Sequence, residues 1–215
     1  MKTEDTMKIV KLCLLLLALV VNLKAQDTLQ EVVTWQVPEG SIFRLYQLNN
    51  DGSDLNNDGY DDFIHWFPEE IYKFQFYLGS SSPNSTFDFE IEVPFGSGGI
   101  SWGGDLNGDG FKDFVYSVCT NWGDPGDVYI CLGGEVINLE PELILHGEDY
   151  APDSYHLGFH GINGGYDFNG DSYDDILTGG IGDDLTWRGM VAIFFGGEEM
   201  STVPDFYYLV MYQII

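Results

Sequence analysis

Basic residues are nearly missing from this chain. Its 215 residues hold 8 Lys and Arg against 35 Asp and Glu, a formal net charge of −27. A surface of that sign repels nucleic-acid phosphates and anionic lipid, which excludes both as expected partners. Divalent cations are the natural counterions. Cysteine is also scarce, with 3 in the whole chain, too few for a mini-domain built on disulfides. A bilayer span needs ~20 apolar residues, and the one extended apolar run, Leu12 to Val21, falls short of it. Nothing after that run keeps a helical period. Nucleophile elbows, phosphate loops and a histidine paired with a nucleophile are likewise missing, so the chain reads as a non-enzyme. Aromatic residues, at 15%, are too plentiful for a disordered acidic tail.

The short apolar run has a different use. Lys8 and Lys11 precede it, Asn22 and Lys24 follow it, and Ala25 stands where a cut is expected. Residues 1–25 are therefore read as a secretory signal peptide, which predicts a secreted or cell-surface protein with no membrane insertion after its removal. Beyond residue 25 only Arg44, Lys73, Lys112 and Arg188 are basic, so the acidic excess grows.

Three segments of the remaining chain align without gaps. They are Asp54-Leu-Asn56-Asn-Asp58-Gly59-Tyr60-Asp-Asp62, Asp105-Leu-Asn107-Gly-Asp109-Gly110-Phe111-Lys-Asp113 and Asp167-Phe-Asn169-Gly-Asp171-Ser172-Tyr173-Asp-Asp175. Their spacing is close to the ~40–50 residues of a four-stranded propeller blade. The flanks repeat as well. Gly96 and Gly158 precede the second and third motifs by the same interval, an apolar run follows each motif, and a further run ends in Gly79, Gly133-Gly134 or Gly196-Gly197. Runs of four to eight Val, Ile, Tyr and Phe residues punctuated by Gly, Pro and Asp predict strands. The fold is expected to be all-β, with three four-stranded antiparallel blades in an open, incomplete propeller. The boundaries are 26–40 for a lone N-terminal outer strand, 41–93, 94–146 and 147–210 for the blades, and 211–215 for a truncated end. Closed propellers use ~4–8 blades, so three blades predict part of a longer protein.

Calcium takes six to eight hard oxygen ligands from a flexible loop. Each motif offers three carboxylates, an Asn oxygen and a backbone carbonyl at alternating positions, and glycine permits the sharp bend after the third ligand. The expected ligands are Asp54, Asn56, Asp58, Tyr60 and Asp62; Asp105, Asn107, Asp109, Phe111 and Asp113; and Asp167, Asn169, Asp171, Tyr173 and Asp175. Up to three Ca²⁺ ions follow, the third site being weakened by Ser172 in the place of glycine. EF-hands and dockerins open in the same way but exit into a helix, and an EF-hand needs an acid at position twelve, where this chain has His65, Tyr116 and Thr178.

The motifs and their flanks resemble the FG-GAP repeats of integrin α-subunit propellers and of many secreted bacterial proteins. The resemblance covers about 31–210. It implies metal loops joining the first and second strands of each blade, and a ligand face on the opposite side. The implied function is a Ca²⁺-stabilised module that binds an extracellular protein or glycan. The alternatives are the propeller part of a secreted carbohydrate-active or lipid-hydrolysing enzyme, or a surface scaffold.

Trp66, Trp122 and Trp187 fall between second and third strands, where they would either contact a ligand or pack between blades. Cys119 and Cys131 flank a hairpin and are read either as a cross-strand disulfide or as buried thiols. The histidines show no metal spacing and are read as surface or loop residues.

Overall fold

The computed structural model describes residues 54–68, 72–94, 97–121, 123–149, 156–159, 161–181 and 189–210. The expected signal peptide, the lone N-terminal strand and the 211–215 end lie outside them. The chain divides into two compact units. The described residues, Ser82–Ser85 apart, fall in one of them.

The architecture is all-β, with three antiparallel sheets. The first holds β1 (Phe63–Pro68), β2 (Tyr72–Tyr77) and β3 (Phe89–Val93). Residues 41–53, where its first strand is expected, lie outside the described residues. The second sheet holds β4 (Ser97–Gly104), β5 (Asp113–Val118), β6 (Asp127–Cys131) and β7 (Leu143–His146), in that order. The third repeats this order with β8 (Gly161–Tyr166), β9 (Asp175–Ile181), β10 (Gly189–Phe194) and β11 (Phe206–Val210). One 3₁₀ turn at Gly147–Asp149 is the only helical element among the described residues. Each sheet is thus a meander in sequence order, as expected where short strands are separated by turn residues.

The middle sheet is buried on both faces, and its sequence shows why. Every residue of β5 is buried. Phe114, Tyr116 and Val118 join Leu55, Phe74 and Phe76 in a core shared with the first sheet. Val115 points the other way and joins Val128, Ile130 and Leu145 against Ile162, Ile176, Met190 and Phe194 of the third sheet. Successive strand residues face opposite sides, so an unbroken apolar run marks a strand covered on both.

The first strands of the second and third sheets lie side by side. Ser101 Oγ of β4 donates to Asn163 Oδ1 of β8 at 3.2 Å. A Cβ on Gly164 would sit on the backbone oxygen and Cα of Gly103. Glycine is therefore required there for close backbone approach. Gly164→Ala should destabilise the protein by about 1–3 kcal/mol through overpacking. Gly99→Ala, whose Cβ would meet only Ile162 Cγ2 at 3.8 Å, should cost less. Chemical unfolding of the two variants compares them directly.

Candidate metal centre

The three acidic loops occupy equivalent places. Residues 105–113 join β4 to β5, residues 167–175 join β8 to β9, and residues 54–62 lead into β1. All three turn through left-handed residues at their fourth and sixth positions. The fourth positions are Asn57, Gly108 and Gly170, with φ of 56°, 77° and 80°. The sixth are Gly59 and Gly110, both at 90°, and Ser172 at 78°. Ser172 therefore keeps the bend that glycine makes in the other loops, at a steric cost of ~1–2 kcal/mol.

That bend aims backbone N–H groups at the motif side chains. The first Asp accepts from the sixth-position N–H, at 2.8 Å for Asp54, 3.0 Å for Asp105 and 3.0 Å for Asp167. The Asn oxygen accepts from the fifth-position N–H at 3.0–3.2 Å. The fifth-position Asp accepts from the seventh-position N–H at 2.9–3.0 Å. The Asn amide also donates to the second oxygen of that Asp. Side-chain competition for backbone donors is what fixes Asp and Asn in such turns.

The closing Asp is different, because it is buried. Asp62 is 6% exposed, and Asp113 and Asp175 are 0%. One oxygen accepts from the second-position N–H of its own loop: Leu55 at 2.8 Å, Leu106 at 2.7 Å and Phe168 at 2.6 Å. The other accepts from a glycine two residues past the end of β2, β6 or β10: Gly79 at 2.7 Å, Gly133 at 2.8 Å and Gly196 at 2.9 Å. Burial pushes the carboxyl up to about 6 in Asp62 and about 7 in Asp113, and raises Asp175 as well. The two N–H donors pull it back, while the first- and fifth-position Asp residues of the loop push it further up.

Among the described residues, no three His, Cys, Asp or Glu side chains converge into a ready-made metal cage. The donor chemistry nevertheless fits a hard cation. It consists wholly of oxygen, and a carboxylate oxygen that accepts one N–H keeps a further acceptor site. Neighbouring loops are also clasped together. Asp105 N–H donates to Asp174 Oδ2 at 2.7 Å, and Asp174 N–H donates back to Asp105 O at 3.0 Å. Lys112 Nζ lies 3.3 Å from the same Asp174 oxygen. Gly134 and Gly197 N–H donate to Leu55 O and Leu106 O of the preceding loop.

No family model matches the chain. Integrin alpha-7 of Mus musculus is 29% identical over 61% of the chain, and integrin alpha-3 of Cricetulus griseus is 31% identical over 62%. Integrin alpha-5 of Xenopus laevis is 28% identical over 72%. The matches cover 12%, 14% and 16% of those proteins respectively, so the chain spans a small part of their length. Over that stretch the chain is similar to integrin α-chains.

The other expected site residues are only partly described. Trp66 stands within β1, opposite Phe74, and not in a loop as the sequence suggested, because the strand extends through Pro68. Trp122 and Trp187 lie outside the described residues. The disulfide reading is corrected, since Cys119 and Cys131 are free and buried. Cys131 pairs with Phe114 on β5, which puts Cys119 five residues further along, about 16 Å away at ~3.3 Å per residue. A disulfide needs Cα atoms within ~7 Å.

Cys119 has another partner. Its Sγ lies 3.0 Å from His156 Nδ1, and His156 is 2% exposed with φ of 46°. The sequence assigned His156 to the surface or a loop. It does lie between β7 and β8, but it is enclosed there, and no local pattern announces a contact 37 residues away in sequence.

Two outcomes follow. Ser172→Gly should stabilise the protein by about 1 kcal/mol by relieving its left-handed backbone, readable as a higher unfolding midpoint. Burial pushes the Cys119 thiol up to about 11 and the Cys131 thiol up to about 12. Both should therefore resist a thiol reagent in the native protein and react promptly once it is unfolded.

Proposed function

We propose that this chain is part of an extracellular adhesion-type module whose acidic loops hold structural Ca²⁺, up to three ions, and whose partner is an extracellular protein or glycan. The observation that carries the reading is the threefold recurrence of one loop geometry in a region similar to integrin α-chains. Asp54, Asn56, Asp58, the Tyr60 carbonyl and Asp62 would hold the first ion. Asp105, Asn107, Asp109, the Phe111 carbonyl and Asp113 would hold the second. Asp167, Asn169, Asp171, the Tyr173 carbonyl and Asp175 would hold the third. Bound Ca²⁺ would supply positive charge where several carboxylates crowd one turn.

The chain's own residues supply the rest of the arrangement. The closing Asp ties each loop to the chain just past β2, β6 or β10, so ordering the loop also orders the hairpin beneath it. Such binding adds to folding stability. Secretion follows from reading residues 1–25 as a leader, in a calcium-rich compartment.

Melting the chain with chelator and then with excess Ca²⁺ tests the proposal. At a free concentration one hundred times its Kd, one ion adds about 2.7 kcal/mol, which is several degrees of Tm at this size. Asp109→Ala should lower the number of bound ions by one. A melting curve indifferent to chelator and to Ca²⁺ would overturn the structural role.

A further inference from the structure

The second and third acidic loops are joined by more than the first and second are. Both junctions share one contact: Gly134 N–H donates to Leu55 O at 3.2 Å, and Gly197 N–H to Leu106 O at 2.8 Å. Asp174, the eighth residue of the third loop, adds two more at the later junction. Its Oδ2 accepts from Asp105 N–H at 2.7 Å, and its own N–H donates to Asp105 O at 3.0 Å. Lys112 Nζ faces the same partly buried oxygen at 3.3 Å. Tyr173 completes the contact. A Cβ on Gly108 would sit on its ring, so the ring lies against the left-handed turn of the second loop.

The side chains that make the later junction cannot repeat it one loop earlier. Lys112 stands in the place of Asp174, and an ammonium has no acceptor for an N–H. Asn57 stands in the place of Gly108 and brings a side chain into the space that the Tyr173 ring uses. The later junction also touches the expected ligands of both loops. Asp105 opens the second loop, and its carboxylate holds that loop's turn through Gly108 N–H at 2.8 Å and Gly110 N–H at 3.0 Å. The Tyr173 carbonyl and Asp175, either side of Asp174, are expected ligands of the third. One short segment, 173–175, thus carries two ligands of its own loop and grips the first ligand of the other. An ion that orders this segment leaves less to be ordered when the neighbouring loop fills.

We propose that the second and third loops take up Ca²⁺ as one positively cooperative pair coupled through Asp174, while the first loop fills independently of them. The proposal rests on the reading of these loops as Ca²⁺ sites. Linkage requires that each ion of the pair raise the affinity for the other by the same factor. Repulsion between bound ions works against the coupling, but it acts at the first junction too, where no Asp174 carboxylate opposes it.

A Ca²⁺ titration of the full chain followed by ¹⁵N NMR reads each loop separately, through the Gly59, Gly110 and Ser172 amides that donate to its first Asp. Asp171→Ala removes an expected ligand from the third loop, and Asp58→Ala removes the same group from the first. Asp58, Asp109 and Asp171 are all exposed, so these variants spare the fold. The Gly110 midpoint should rise at least about fivefold in Asp171→Ala, the low end of coupling between sites, and hold in Asp58→Ala. Since both variants lose one charge beside the second loop, the difference between them reports the junction and not the charge. Asp109→Ala should move the Ser172 midpoint by a like factor. In a chain that already carries Asp174→Ala, Asp171→Ala should no longer move Gly110. Equal shifts of Gly110 in the Asp171 and Asp58 variants, or none in the Asp171 variant, overturn the coupling and leave Ca²⁺ binding standing. Three amides indifferent to Ca²⁺ overturn the calcium reading and the coupling with it.

Discussion

A carboxylate buried at the start of each second strand is the constraint on which the described structure depends. Removing a charged group from water is costly unless donors replace the lost hydration. Asp62, Asp113 and Asp175 each find two backbone donors, one from their own loop and one from a glycine two residues past β2, β6 or β10. Two segments distant in sequence are thereby fixed to the same group. Loop shape, strand register and the end of the hairpin are set together, so a change at one is felt at the others.

The second level of order comes from the glycines that follow. Gly133 and Gly196 serve their own sheet, while Gly134 and Gly197 donate to the loop of the sheet before. Adjacent repeats are therefore joined by backbone as well as by side-chain packing. Between the second and third loops Asp174 adds a reciprocal pair of hydrogen bonds with Asp105. Lys112 holds the equivalent place one repeat earlier, and an ammonium cannot accept an N–H, so that junction is built differently.

The sequence was most readable where the information is local. Tandem motifs, short apolar runs and glycine punctuation were enough for an all-β, propeller-like reading, because each strand is bounded by its own turn residues. The loops were legible as oxygen-rich turns for the same reason. What escaped notice was long-range. The closing Asp looked like one more cation ligand, and only the fold reveals its bond to a glycine 17 to 21 residues away. The Cys119–His156 contact and the Asp174 clasp connect different loops, and no spacing rule anticipates either. The apolar run after the first motif is short, whereas pairing with β2 carries β1 on to Pro68 and takes Trp66 with it.

The two arms of the closing Asp also differ in reach. The arm to its own loop always spans seven residues. The arm to the glycine spans 17, 20 or 21. Length is therefore rigid at one end of each repeat and elastic at the other, where the hairpin between second and third strands turns. Variation in size can accumulate at those turns without disturbing the acidic loops. The two ends of one blade are thus free to diverge at different rates, one held to a fixed count of residues and the other open to new shapes and new contacts.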